Sequence, residues 1–299
     1  MPSLKIVVVG NCQARPIGYC LSQYNKNVTI LEPLIVHLLT NSDIEVIQHT
    51  LMEADVIVSQ QLNESYHIEC LRTENLRQQY GAKLVVIPNI FLTKYCPDLV
   101  YISSPDLGRL PSMLDIYHSR ITFEAWSSNE NIALAVSRLD DKEYWKSVYH
   151  DNVSKSISEL KKRDMESDIT VFDIIENVSE KDRPFFTFNH PSNQVLAAFS
   201  KRILAHINEP FTSNLNINKE PLASIIAPVF EGAKKAFDYK FDGPSYCVGF
   251  KPIIDNGKVV SKGIRKIMSN KDFVEYSFDL YDRTLDDKDL SNIRYTPSY

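Results

Sequence analysis

Short apolar runs and amphipathic stretches alternate through the first hundred residues. KIVVVG, VTILE, ADVIVSQQL and KLVVIPNIF are dense in Val, Ile and Leu, as strands buried on both faces are. Between them the spacing changes to that of helices. Ala14 to about Tyr24 forms the first, with Pro16 tolerated in its opening turn. Asn41-Ser42-Asp43 offers N-caps to a second helix through Ile44, Val46, Ile47 and Leu51. A third, polar helix runs from about Glu64 to Tyr80 and stops at Gly81. This alternation predicts a parallel sheet flanked by helices, an α/β fold.

The pattern loosens beyond residue 92. Residues 93–117 mix Pro, Tyr and Ser with apolar positions. The segment is too long and too apolar for a plain connector, and such loops tend to carry function. Helical spacing returns from Asn129 to Leu139, Lys142 to Arg163 and Thr170 to Val178. RPFFTFNHPSN interrupts it with a short aromatic strand. Pro191 then opens a helix with apolar positions at Val195, Leu196, Phe199, Ile203 and Leu204. IIDNGKVV holds a hairpin-type Asn-Gly, and the tail from Asp282 reads as peripheral structure. The expectation is a first domain over residues 1–125 and a mainly helical region over 126–299, contributing His190 and completing the cleft.

Composition narrows the class. Apolar residues make up 43% and charged residues 24% of the 299, with net charge −5, so a globular fold is expected. No long basic block points to nucleic acid, and Lys161 to Arg163 reads as a solvated helix face. Cys12, Cys20, Cys70, Cys96 and Cys247 are odd in number, scattered and without a CxxC pair. Free thiols in a reducing cytoplasm follow, with no disulfide framework and no metal site. The N-terminus reads as a strand rather than a signal peptide. No apolar run approaches the roughly 18 residues of a membrane span. A soluble, cytoplasmic protein is expected, with homo-oligomerisation left open.

The chemistry gathers at the end of the first strand, Gly10-Asn11-Cys12-Gln13. In a parallel sheet ligands bind at the carboxyl ends of the strands. A thiol there faces a helix N-terminus, which lowers a thiol pKa and offers N–H groups to an oxyanion. Cys12 is therefore a candidate nucleophile, against the alternative of a packing cysteine. Its own N–H, that of Gln13 and the Asn11 amide are candidate oxyanion donors. Phosphatase chemistry is excluded, because Gly18 stands where Cys-x5-Arg requires arginine. GNCQAR also lacks the glycines of a dinucleotide fingerprint. A cysteine nucleophile needs a base. His190, at a strand end and held extended by Pro191, is the leading candidate, and His118 the second. Ser59, Gln60 and Gln61 end the third strand and Pro88 and Asn89 the fourth, so their amides converge on one sheet edge.

GNCQ, a strand ending Ser-Gln-Gln, the PNI segment with Tyr95, Pro97 and Asp98 after it, and a late Asn-His-Pro together resemble the WcbI family over residues 4 to 207. These are polysaccharide-biosynthesis proteins regarded as acetyltransferases of capsule assembly and distantly related to SGNH hydrolases. The resemblance implies coenzyme A as acyl carrier, acetyl-CoA as donor, and a sugar hydroxyl of a capsular or surface polysaccharide as acceptor. It sets Gly10-Asn11-Cys12 where SGNH proteins carry Gly-Asp-Ser, with Cys12 as nucleophile and His190 as base. Gln60 or Gln61 takes the oxyanion region, with Gly10, Asn11, Gln13, Asn89 and Asn189 lining the substrate. The SGNH base follows an aspartate by three residues, whereas Thr187 stands there here. Arg15, Lys94, Tyr95, Arg109, His118 and Arg120 are candidate contacts to the carrier, as are Tyr101 and Tyr117. The alternatives are an esterase or thioesterase of the same class, or a non-catalytic sugar- or nucleotide-binding protein.

Overall fold

The computed structural model describes residues 3–211, 220–242, 246–285 and 289–297. In chain order the elements begin β1 (Leu4–Gly10), α1 (Ala14–Tyr24), β2 (Val28–Ile30), β3 (Leu34–Ile35), α2 (Ile44–Glu53), β4 (Val56–Gln60), α3 (Thr73–Tyr80) and β5 (Leu84–Ile87). There follow β6 (Leu99–Ser104), β7 (Gly108–Arg109), β8 (His118–Ser119), α4 (Arg120–Ser127), α5 (Ile132–Asp140), α6 (Lys142–Met165) and α7 (Phe172–Ser179). The chain continues with β9 (Phe185–Thr187), β10 (His190–Pro191), α8 (Asn193–His206), α9 (Glu231–Ala236), β11 (Tyr246–Asp255), β12 (Lys258–Ser269), α10 (Asn270–Leu285) and β13 (Arg294–Thr296). They fall into two compact units interleaved along the sequence: residues 1–91, 159–178 and 190–222, and residues 92–158, 179–189 and 223–299.

The first unit is the expected α/β layer. Its strands run in the order β2-β1-β4-β5, with β3 also pairing β1, and every pairing is parallel. Ile6, Val7, Val8 and Val9 of β1 are all fully buried, which explains the unbroken apolar run. Alternation splits them between faces. Val7 and Val9 join Ile47 and Leu51 of α2 and Leu76 of α3 in one core cluster. Val8 points the other way, toward Gly18 of α1, and α1 lies against α8. The helix expected from Glu64 shortens to Thr73–Tyr80. Asn63 Oδ1 accepts from the backbone N–H and the hydroxyl of Ser65, a local turn that competes with helix. Gly81, at φ +46°, ends the helix as its spacing predicts.

The second unit mixes helices with antiparallel strands. In it β6 pairs β13, β7 and β8, and β11 with β12 forms a long hairpin. Asn256 and Gly257 sit at its tip with φ of 48° and 71°, the two positive angles of a type I′ turn. Ahead of the tail expected as peripheral from Asp282 stands α10, whose Phe273, Val274 and Tyr281 are buried. Of the tail's described residues Leu285, at the helix end, is buried and 289–297 are exposed or intermediate. The start of α10 was legible: Ser269 Oγ accepts from the Asp272 N–H, and Asp272 Oδ2 accepts from the Ser269 N–H. That is a reciprocal capping box.

Asp98 adds a titratable feature to this unit. It is buried beside Ser119, and burial pushes its carboxyl up to about 7 while the Ser119 hydrogen bond pulls it down. The unfolded carboxyl loses its proton near its ordinary value, so between that value and about 7 the folded protein holds the extra proton. Stability therefore falls as pH rises through this window. Asp98→Asn is expected to flatten that slope in urea midpoints measured from pH 4.5 to 8. An unchanged slope would contradict the assignment.

Candidate functional site

The turn between β1 and α1 is held by four side-chain amides. Gln60, at the end of β4, accepts the Asn11 N–H on Oε1 at 2.9 Å and donates Nε2 to Gln13 Oε1 at 2.7 Å. Gln13 is fully buried; its Oε1 also accepts from the Ile90 N–H, and its Nε2 donates to the Ile90 carbonyl at 2.7 Å. Asn11 donates Nδ2 to Asn89 Oδ1 and accepts the Gln13 N–H on its own Oδ1, both at 2.9 Å. Gly10 is required beside this network, since a Cβ there would lie 2.7 Å from Gln60 Oε1. The strand-end amides thus meet as the sequence suggests, but they bind one another. Gln13 engages both its backbone N–H and its side chain within the network.

Arg163 completes the frame. Its guanidinium donates to the carbonyls of Asn89 at 2.6 Å and Phe91 at 2.9 Å and lies over the Phe91 ring. The charged run of residues 161–163 predicts a solvated face, yet Arg163 is its inward-turned member. Gln61 turns elsewhere and donates to the Glu166 carbonyl at 2.8 Å.

Cys12 sits at the crest of this turn, partly buried, and opens into a cavity of about 600 Å³. Among the described residues Arg15, Pro16, Tyr19, Glu220, Pro221 and Leu222 line it as well. Burial pushes the thiol up to about 11, against the smaller opposing pull of its own backbone N–H. The lowered pKa expected from the helix N-terminus is overridden, because desolvation by apolar walls disfavours the thiolate more than the local N–H favours it. Arg15 is exposed and pairs with Glu32 at 3.0 Å. Glu220 and its neighbours carry no motif, and only the folded chain brings them to Cys12.

His190 belongs to the same unit as Cys12, half-buried in β10; it is not among the described residues lining the cavity. Asn189 belongs to the second unit, where its Oδ1 accepts from the hydroxyls of Tyr117 and Thr187, each at 2.9 Å. Arg109 stacks on Tyr101 in that unit, 4.4 Å from the ring centre. The other candidate carrier contacts of that unit have partners within it. Tyr95 is buried among Phe185, Tyr239 and Phe241, with Lys94 over its ring. Arg120 pairs with Glu124 at 2.7 Å and covers the Tyr295 ring. His118 is fully buried, with Nε2 at 3.0 Å from the Leu110 carbonyl and Nδ1 at 2.8 Å from the Tyr281 hydroxyl. Burial pushes its ring down to about 4, so it is a neutral core histidine with no face for a ligand.

A parallel α/β layer whose first strand delivers a cysteine to a cavity defines a thiol-bearing α/β protein. The sequence model of the family "polysaccharide biosynthesis enzyme WcbI" matches residues 5–211, and the chain belongs to that family. A solved structure described as WcbI, a novel polysaccharide biosynthesis enzyme, shares the fold at 18% identity. The match has a TM-score of 0.69 and covers 94% of this chain and 90% of that one. That structure is described as the native protein without a disulfide bond between CoA and one of its cysteines. No curated protein matches. Among the described residues no group of metal-ligating side chains is present, and no helix is long and apolar enough to cross a membrane.

Proposed function

We propose that this polysaccharide-biosynthesis enzyme transfers an acyl group from acyl-CoA, as acetyl-CoA, to a sugar hydroxyl of a capsular or surface polysaccharide. Cys12 receives the acyl group as the bond from the acyl carbon to the CoA sulfur breaks, and His190 takes the thiol proton and passes it to that departing sulfur. The observation that carries the reading is the cavity into which Cys12 opens. Its residues fit the sulfur end of the carrier. Pro16, Tyr19, Pro221 and Leu222 offer apolar walls to a pantetheine arm, and Arg15 sets a cation beside them. The related structure's description, which names CoA together with a cysteine, supports the same pairing. When bound, the carrier supplies the acyl group as a thioester.

The chemistry of sulfur supports transfer over hydrolysis. Attack by Cys12 exchanges one thioester for another, close to energetic balance, and leaves an acyl-cysteine reactive toward an alcohol. The raised thiol pKa makes a base necessary, since little thiolate stands free near neutrality. Incubation with acetyl-CoA followed by peptide mass spectrometry is expected to find an acetyl group on Cys12. Cys12→Ala should carry none. An unmodified Cys12 in a protein that nevertheless transfers acetyl would overturn the covalent route.

A further inference from the structure

Resting on that acyl-transfer reading, we propose that Glu220 is the base of the second half-reaction, taking the proton of the acceptor hydroxyl as it attacks the acyl group on Cys12. Glu220 is the one carboxylate among the described residues that line the Cys12 cavity. It stands outside residues 5–211 matched by the family, so nothing in the shared motifs assigns it a task.

Its position is built rather than incidental. Oε2 accepts the Asn193 N–H at 2.8 Å, at the start of α8. Asn193 is itself buried, and its Oδ1 receives the Cys20 thiol at 3.9 Å. One carboxylate oxygen is thereby anchored on the helix end, which holds the group at the cavity wall while the residue stays solvent-exposed. Burial raises its pKa, with the Asn193 N–H opposing, and this moves a carboxylate toward the range useful for proton exchange. The charge of Glu220 also contributes to raising the Cys20 thiol, after desolvation by burial.

The step balances as follows. The acceptor oxygen forms a bond to the acyl carbon, and the bond from that carbon to the Cys12 sulfur breaks. The hydroxyl proton passes to Glu220 and from there to the departing sulfur, which restores the Cys12 thiol and the carboxylate.

Glu220→Gln separates this task from a structural one. Its amide oxygen can still accept from the Asn193 N–H, but it cannot take a proton near neutrality. The test supplies acetyl-CoA as donor and methyl glycosides of glucose, galactose and mannose as acceptors. It follows acetylated glycoside and acetylated Cys12 together. Glu220→Gln is expected to lower turnover by about 10²-fold or more, while acetyl-Cys12 forms at the wild-type rate and accumulates in the presence of acceptor. Glu220→Asp, which keeps the carboxylate one methylene short, should recover part of the loss. Turnover of Glu220→Gln within about threefold of wild type overturns the proposal and leaves the acyl-transfer reading standing. A wild-type protein that neither takes acetyl on Cys12 nor acetylates any glycoside sinks that reading and the proposal with it.

Discussion

Cys12→Ser is expected to lower acyl transfer by roughly 10³-fold or more, although the side chain keeps its shape and its place on the turn. Two effects act in the same direction. A serine hydroxyl holds its proton far more tightly than the thiol does, so the same base activates it less. The wall that pushes the thiol up to about 11 offers an alkoxide no better solvation. Any acyl-serine that forms is an oxygen ester, lower in energy than the thioester it came from, and its transfer to a second hydroxyl loses the advantage of a thioester donor. The variant should therefore acylate slowly and then hold the label. Single-turnover transfer of radiolabelled acetyl resolves both phases. Transfer by Cys12→Ser at wild-type rates would mean that the thiol only binds, and that the acyl group passes directly from carrier to acceptor.

The sheet was readable because each central strand is buried on both faces, and burial on both faces leaves a plain apolar run such as IVVV in β1. The hairpin was readable from two residues, Asn256 and Gly257, whose positive φ angles few other pairs tolerate. Arg163 was not, because nothing in KKR distinguishes the member that turns inward to the Asn89 and Phe91 carbonyls from two that face water. The site divides in the same way. Gly10, Asn11, Gln13 and Gln60 were legible as a group because polar residues at the ends of apolar strands share one sheet edge. Their hydrogen bonds to one another were not legible, since the same amides facing a ligand would give the same sequence. Glu220 lies far from GNCQ in the chain, with no signature of its own. The direction of the Cys12 pKa also escaped, because the helix N-terminus is local and visible in sequence whereas the desolvating wall is assembled from residues 12–19 and 220–222.

Gln60→Ala is expected to destabilise the first unit by about 2–5 kcal/mol. It strips the Asn11 N–H of its partner at 2.9 Å and removes one of the two donors to Gln13 Oε1, which keeps the Ile90 N–H. A buried polar group left unpaired costs about 1–3 kcal/mol, and the vacated volume adds to it. Gly10→Ala attacks the same point from the other strand. Its Cβ would meet Gln60 Oε1 at 2.7 Å and Cδ at 2.9 Å, so the amide must move off both partners, at an overpacking cost of about 1–3 kcal/mol. Each change alone should shift the urea midpoint downward and loosen the turn that carries Cys12. Together they should not add. Once Gln60 is Ala the obstacle to a Cβ at position 10 is gone, and the second substitution becomes nearly free. The double-mutant cycle is expected to show a coupling of about 1 kcal/mol or more in the compensating direction. Costs that add within about 0.5 kcal/mol would mean that Gly10 is required for some reason other than the Gln60 amide, and that the network is not the brace of the turn.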